Sequence, residues 1–66
     1  MLNGAKMLNL MDKKKITHKE LARHVGVSTV SIYNWISGNR QPRIADLVRV
    51  ARALGCTVDE LLIKEE

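Results

Sequence analysis

Four uncharged side chains stand where a surface helix would ordinarily carry charges. The segment GVSTVSIYNWISGNRQP contains them, and they are Thr29, Val30, Tyr33 and Asn34. With Ile32 facing inward, a helical advance of roughly 100° per residue turns Val30, Tyr33 and Asn34 outward, with Thr29 at the edge. A solvated helix carries Glu, Lys or Gln at such positions. Because hydroxyl, amide and methyl groups form hydrogen bonds and apolar contacts, this outer face indicates recognition of another surface.

No comparable arrangement exists for catalysis or for a metal ion. His18 and His24 lie six positions apart, on different faces of one short predicted helix, and Cys56 lies far from both. The sequence lacks a ligand pair at i, i+4, and it also lacks an activated nucleophile, paired carboxylates and a glycine-rich phosphate loop. We therefore expect no enzymatic activity, no metal, no cofactor and no small-molecule ligand.

The size and composition predict one all-α domain spanning residues 1–66. The hydrophobic share is 45%, but there is no Phe and only one Tyr and one Trp, so Leu, Ile, Val, Ala and Met must form the core. A single cysteine, Cys56, excludes an internal disulfide and favours a reducing compartment. The N-terminus is not patterned as a signal peptide, and no apolar run reaches the roughly 18 residues of a membrane span, so we expect a cytoplasmic protein with no membrane contact.

A start signal repeated three times predicts helices. Thr17, Ser28 and Thr57 each follow an apolar residue and can cap a helix, with Glu three positions after both threonines. Gly26, Gly38 and Gly55 each follow an apolar periodic run and can end a helix. The apolar stripe predicted for the fourth helix is Ile44, Leu47, Val48, Ala51 and Leu54. The predicted helices span Leu2 to Lys14, Thr17 to Val25, Ser28 to Ser37, Arg43 to Leu54 and Val58 to Ile63.

The charge distribution indicates a polyanionic partner. The net charge is +4, and nine Lys or Arg residues face two acidic residues between Lys13 and Arg52, whereas the part after Arg52 is acidic. The uncharged outer face suits the major groove of DNA, where Asn bonds to adenine and methyl groups pack on the thymine methyl. Basic residues on either side would bind phosphates: Arg40 and Arg43 after the third helix, and His18 and Lys19 at the start of the second.

From about Met7 to Leu62 the chain resembles the Cro- and Xre-like helix-turn-helix family of phage and bacterial transcriptional regulators. The matching residues are Ile16-Thr17, Glu20-Leu21-Ala22, Gly26-Val27-Ser28, Ile32, Gly38, Pro42, Leu47, Ala51, Leu54-Gly55 and Val58-Asp59-Glu60-Leu61-Leu62. The resemblance implies a compact five-helix bundle of the lambda repressor-like type, whose third helix enters the major groove. It also implies a homodimer on a palindromic double-stranded DNA operator, and we expect a repressor.

Carried over by position, the resemblance assigns roles to individual residues. The base-reading positions fall on Thr29, Val30, Tyr33 and Asn34. The predicted phosphate contacts are His18, Lys19, Ser28, Ser37, Asn39, Arg40 and Arg43. His18 replaces a glutamine that is frequent in the family, so DNA binding would strengthen as the pH falls.

Two positions depart from the family pattern. Members frequently pair an Arg near the end of the first helix with a Glu late in the third, and these positions hold Met11 and Ile36. Because packed apolar groups can replace a buried ion pair, we predict that Met11 and Ile36 pack together. The usual Ser or Thr cap of the fourth helix is Arg43, which cannot accept a hydrogen bond, so Asp46 must serve that helix start.

The last predicted helix carries more apolar groups than its own packing needs. Its predicted dimer contacts are Val58, Leu61, Leu62 and Ile63. Two interpretations stay open for these residues, a dimer interface and completion of the monomer core. Two alternatives also stay open for the whole protein: an antitoxin-like protein-interaction module on the same fold, and a nucleoid protein that binds DNA without reading sequence.

Overall fold

Side-chain caps begin four of the five helices in the described part of the chain. A computed structural model describes residues 1–63, so Lys64, Glu65 and Glu66 of the predicted acidic tail lie outside the described residues. The helices are α1 (Gly4–Lys14), α2 (His18–Val25), α3 (Thr29–Ser37), α4 (Ile44–Leu54) and α5 (Val58–Leu61). Thr17, Ser28 and Thr57 each accept a hydrogen bond from the amide three residues on, as predicted, and Asn3 does the same for α1. The all-α prediction with five helices is confirmed over residues 1–63.

The helix ends also follow the sequence signals. Gly26, Gly38 and Gly55 end α2, α3 and α4 in the left-handed conformation, with φ of 82°, 85° and 69°. The first helix ends without glycine: its C-cap is Lys15, which adopts the left-handed conformation with φ 54°. Between α2 and α3 the amides of Gly26 and Val27 both donate to the carbonyl of Ala22, so the turn is short and held by backbone bonds.

The structure differs from prediction just before α1 and just after α5. Leu2 is not helical: it pairs with Leu62 in a single antiparallel bridge, flanked by bonds from Asn3 N to Leu61 O and from Ile63 N to Met1 O. The first helix therefore begins after its Asn3 cap, and α5 ends at Leu61 because Leu62 is extended. Leu2 is 5% exposed, so the bridge closes one end of the core.

The buried stripe of α4 is rotated from the predicted one. Leu47, Ala51 and Leu54 face inward as expected, but Ile44 is 80% exposed and Val50, not Val48, is buried. Both registers satisfy helical spacing from the sequence. The buried residues of α4 lie in its C-terminal part, so the helix begins at the edge of the core and Ile44 stays in solvent.

The two departures from the family pattern appear in the structure. Met11 is buried, and Ile36 packs half-buried against the same core cluster, so apolar groups occupy both positions. Direct contact between these two side chains stays a prediction. Among the described residues, Arg43 makes no side-chain cap bond at the start of α4, as predicted. Asp46 lies in that first turn, and its carboxylate is 3.7 Å from the Arg49 guanidinium.

Acidification is expected to weaken the start of α2. Thr17 and Glu20 form a reciprocal capping box, in which Glu20 N donates to Thr17 Oγ1 at 3.1 Å and Thr17 N donates to Glu20 Oε1 at 3.2 Å. The bonds from the Thr17 backbone and side chain lower the pKa of Glu20, and the charges of Arg23 and His24 act in the same direction. A carboxyl whose pKa is lower in the folded protein than in the unfolded chain stabilises the fold at pH values above its unfolded pKa. This stability is lost as the pH falls through the folded pKa.

Urea unfolding at several pH values between 7 and 3 measures this loss. We expect the advantage of the wild type over Glu20→Gln to shrink as the pH falls, because glutamine does not titrate. Glu60→Gln is the matched control, since Glu60 also stands three residues after a threonine cap but only its amide bonds to Thr57. Parallel curves for the wild type and Glu20→Gln would contradict the assignment.

Candidate nucleic-acid interface

The outer face of α3 is open and carries no charge. Val30 is 66% exposed and Tyr33 is 56% exposed, while Thr29 and Asn34 are half-buried. On the opposite side of the helix, Ile32 and Trp35 are buried in the core, which fixes the rotation of α3. The four side chains singled out in the sequence therefore lie along one accessible side of a firmly seated helix.

At both ends of α3, polar groups that were predicted to contact phosphates form hydrogen bonds within the chain. At the start, Ser28 Oγ accepts from Ser31 N at 3.2 Å and shares a hydrogen bond with Ser31 Oγ at 3.0 Å. At the end, Ser37 Oγ donates to Asn34 O at 3.1 Å and accepts from Asn39 N at 3.4 Å. Since a hydroxyl has one donor and two acceptor lone pairs, these serines keep limited capacity for a further ligand.

An aromatic stack joins α2 to α3. The imidazole of His18 and the ring of Tyr33 lie 4.3 Å apart between centroids, with an interplanar angle of 9°. His18 is the first residue of α2, where the leading amides of a helix have no intrahelical partner and the helix dipole is positive. The sequence indicated both residues separately, but their contact was missed, because no local pattern pairs positions 15 residues apart.

The loop after α3 holds its two arginines in solvent. Arg40 and Arg43 are both exposed, and Arg40 N donates to Asn34 O at 3.3 Å. Gln41 lies between them, and its side-chain oxygen accepts from Leu2 N at 3.0 Å. Sequence reasoning missed Gln41. Its bond ties the arginine-bearing loop to the N-terminal bridge, 39 residues away in the chain.

Basic groups precede and follow the outer face along the chain. His18 and the exposed Lys19 stand at the start of α2, and Arg40 and Arg43 stand beyond the end of α3. The segment from Thr29 to Ser37 between them has no charged residue. A neutral surface flanked by cations can contact base edges centrally and phosphates on either side.

The predicted dimer contacts do not form one exposed surface. Leu61 is 0% exposed and belongs to the monomer core, so its assignment to a dimer interface is wrong. It is buried because α5 is one short turn pressed against the body, with its carbonyl bonded to Asn3 N at 2.7 Å. Val58 is partly buried against the same core, Leu62 is half-buried, and Ile63 is 47% exposed.

The cysteine lies near this end of the domain. Cys56 is half-buried and packs against the core cluster. Burial raises the pKa of its thiol, and the Glu60 carboxylate acts in the same direction. Because the thiolate is the nucleophile, this environment makes Cys56 less reactive than an exposed cysteine.

Comparison with known proteins agrees with this geometry. The helix-turn-helix family profile matches residues 7–61. The chain is 34% identical over 61 residues to the HTH-type transcriptional activator BcrR of Enterococcus faecalis. The aligned region covers 92% of this chain and 30% of that protein. The chain therefore spans about a third of the length of this relative.

Two solved structures of the P22 c2 repressor are also similar. One is the crystal structure in complex with the synthetic operator 9T in the presence of Tl⁺, with a TM-score of 0.87, 34% identity and 94% coverage of both chains. The other is the solution structure of the DNA-binding domain (1-76), with a TM-score of 0.85, 33% identity and coverage of 92% of this chain and 80% of that one. The fold, the short turn before α3, its accessible neutral side and these relatives agree: the chain belongs to the Cro- and Xre-like helix-turn-helix family of DNA-binding transcriptional regulators.

Proposed function

We propose that the protein acts as a repressor by inserting α3 into the major groove of a double-stranded operator. The observation that carries this proposal is the open, uncharged outer face of α3, with Val30 and Tyr33 more than half exposed. The similar P22 c2 repressor was solved with a synthetic operator bound, which supports the same mode here. Regulation of transcription requires access to the chromosome, so the proposed location is the cytoplasm. The proposed activity is binding without catalysis.

The four side chains of the outer face, Thr29, Val30, Tyr33 and Asn34, read base edges in this proposal. The Asn34 amide has the donor and acceptor needed for a bidentate contact with adenine, and the methyl groups of Val30 and Thr29 suit the thymine methyl. Tyr33, the neighbour of Asn34 on α3, contributes an aromatic ring and a hydroxyl to the same face. Because none of these side chains is charged, their contacts add discrimination between bases without a large sequence-independent attraction.

Phosphate contacts position the helix. The exposed cations Lys19, Arg40 and Arg43 supply charge on both sides of α3, and His18 adds a ring nitrogen at the positive end of α2. The other proposed phosphate contacts are Ser28, Ser37 and Asn39 at the two ends of α3.

A homodimer would double the length of DNA that is read. One module contacts few base pairs, and family dimers read half-sites about 34 Å apart. The proposed contacts are Val58, Leu62 and Ile63, with Leu61 removed from the set. Ile63 lies beside Met1, which is 72% exposed, through the bond from Ile63 N to Met1 O.

Selection of bound duplexes from a random pool tests the proposal. We expect a palindromic consensus, bound several kcal/mol more tightly than random DNA. A nucleoid protein would give no consensus. An antitoxin-like module would be indicated by weak DNA binding together with a co-purifying protein partner. A reporter gene placed behind the selected site then distinguishes repression from activation, the activity named for BcrR.

Asn34→Ala and Arg43→Ala are expected to separate base reading from anchoring. Loss of the Asn34 amide should relax base preference at one position by about 1–3 kcal/mol, because a bidentate base contact is removed. Loss of the Arg43 charge should weaken binding to all duplexes alike and flatten the dependence of affinity on salt. Titration of selected and random duplexes at several salt concentrations measures both effects. Equal losses on every duplex for both variants would overturn these roles.

A further inference from the structure

The ring of Tyr33 is partly committed to a contact within the protein. One side of it lies against the His18 imidazole, with centroids 4.3 Å apart and planes inclined by 9°. Near-parallel rings at this distance are a stacked pair, an arrangement that favours a fixed relative orientation. Tyr33 is still 56% exposed, so the ring supports the imidazole from a surface position and not from the core.

The stack acts on the residue that opens α2. An unsupported histidine side chain samples several orientations, and holding one of them on binding costs conformational entropy. A flat partner beneath the ring restricts its rotation before DNA arrives. The capping box of Thr17 and Glu20 fixes the backbone at the same place, so both the main chain and the side chain of His18 are held.

The geometry points to a positioning role: Tyr33 acts on DNA binding through His18, by holding the imidazole toward a phosphate, more than by reading a base itself. This inference rests on the proposed function and refines it. The outer face then divides into Thr29, Val30 and Asn34 as readers, while Tyr33 belongs with the phosphate contacts. The arrangement couples the first residue of α2 to the second turn of α3.

Protonation of His18 is compatible with the stack. A cation over a tyrosine face is attracted by the ring, so an imidazolium gains both from Tyr33 and from a phosphate.

A double-mutant cycle tests the coupling. The variants are His18→Ala, Tyr33→Ala and the double variant, each titrated with a selected and a random duplex. We expect each single variant to lose about three- to tenfold in affinity on both duplexes, as for one lost hydrogen bond. The double variant should lose no more than the weaker-binding single variant, because Tyr33 acts only through His18.

Three further variants sharpen the interpretation. Tyr33→Phe keeps the flat ring and should bind within about twofold of the wild type, whereas Tyr33→Leu keeps bulk without a flat ring and should behave as Tyr33→Ala. His24→Ala at the other end of α2 is the control, and it should bind both duplexes as the wild type does. Thermal unfolding of each variant confirms that the fold is retained, which is expected because Tyr33 is largely exposed.

Three results would overturn the inference. They are multiplied losses in the double variant, a Tyr33→Ala loss confined to the selected duplex, and a Tyr33→Phe loss equal to that of Tyr33→Ala. Any of these would leave sequence-specific binding by the wild type intact. Failure of the proposed function is separate: the wild type would then not discriminate selected from random DNA, while the cycle could still be completed on the random duplex.

Discussion

Replacing Leu61 with Ala is expected to lower the free energy of unfolding by about 2–5 kcal/mol, the range for truncating a buried leucine. The side chain is fully buried, and α5 is a single turn with little helical stability of its own. Removing it leaves a cavity where α5 meets the rest of the core. Since a small domain has only about 5–15 kcal/mol of stability, the variant should unfold at a much lower urea concentration.

Ile63→Ala is the matched control, because Ile63 lies two residues further on but is 47% exposed. We expect this change to lower the free energy of unfolding of the monomer by less than about 1 kcal/mol, since the Ile63 side chain is already exposed to water. If Ile63 contributes to a dimer, its truncation should instead raise the dissociation constant measured by sedimentation. A Leu61→Ala variant that is as stable as the wild type but does not dimerise would contradict the core assignment and restore Leu61 to the interface.

The local signals for helix starts and stops were sufficient to predict most of the fold. A Ser or Thr followed by a free amide three residues later is a short-range arrangement, so Thr17, Ser28 and Thr57 cap their helices as expected. The outer face of α3 was predictable for a similar reason. Helical spacing around Ile32 decides which of its neighbours are inward, and Ile32 is fully buried.

Contacts between distant segments were not predictable from the sequence. The Leu2 to Leu62 bridge, the Gln41 bond to Leu2 and the His18 to Tyr33 stack each depend on how the helices are placed relative to one another. Helical spacing has no information on such placement, and it also admitted two registers for α4. Base-reading roles are still harder to predict from the sequence, because they depend on the geometry of a partner as well as on the fold.

Gly4→Ala is expected to destabilise the protein by about 1–3 kcal/mol, although alanine is ordinarily the better helix residue. Gly4 lies in the first turn of α1, against the backbone of Ile36 near the end of α3. An added Cβ would overlap the Ile36 carbonyl oxygen and lie 3.0 Å from its carbonyl carbon. These are main-chain atoms of a helix seated by buried Ile32 and Trp35, so they cannot rotate away as a flexible side chain would.

The expected loss is measured by urea unfolding, with Asn9→Ala as the control on an exposed position of the same helix. Asn9→Ala should be neutral or slightly stabilising because alanine has the higher helix propensity. If the clash instead shifts α3, the loop from Gly38 to Arg43 must move with it, and DNA affinity should fall by more than the stability loss explains. A Gly4→Ala variant as stable as Asn9→Ala would show that α1 and α3 do not approach this closely in solution.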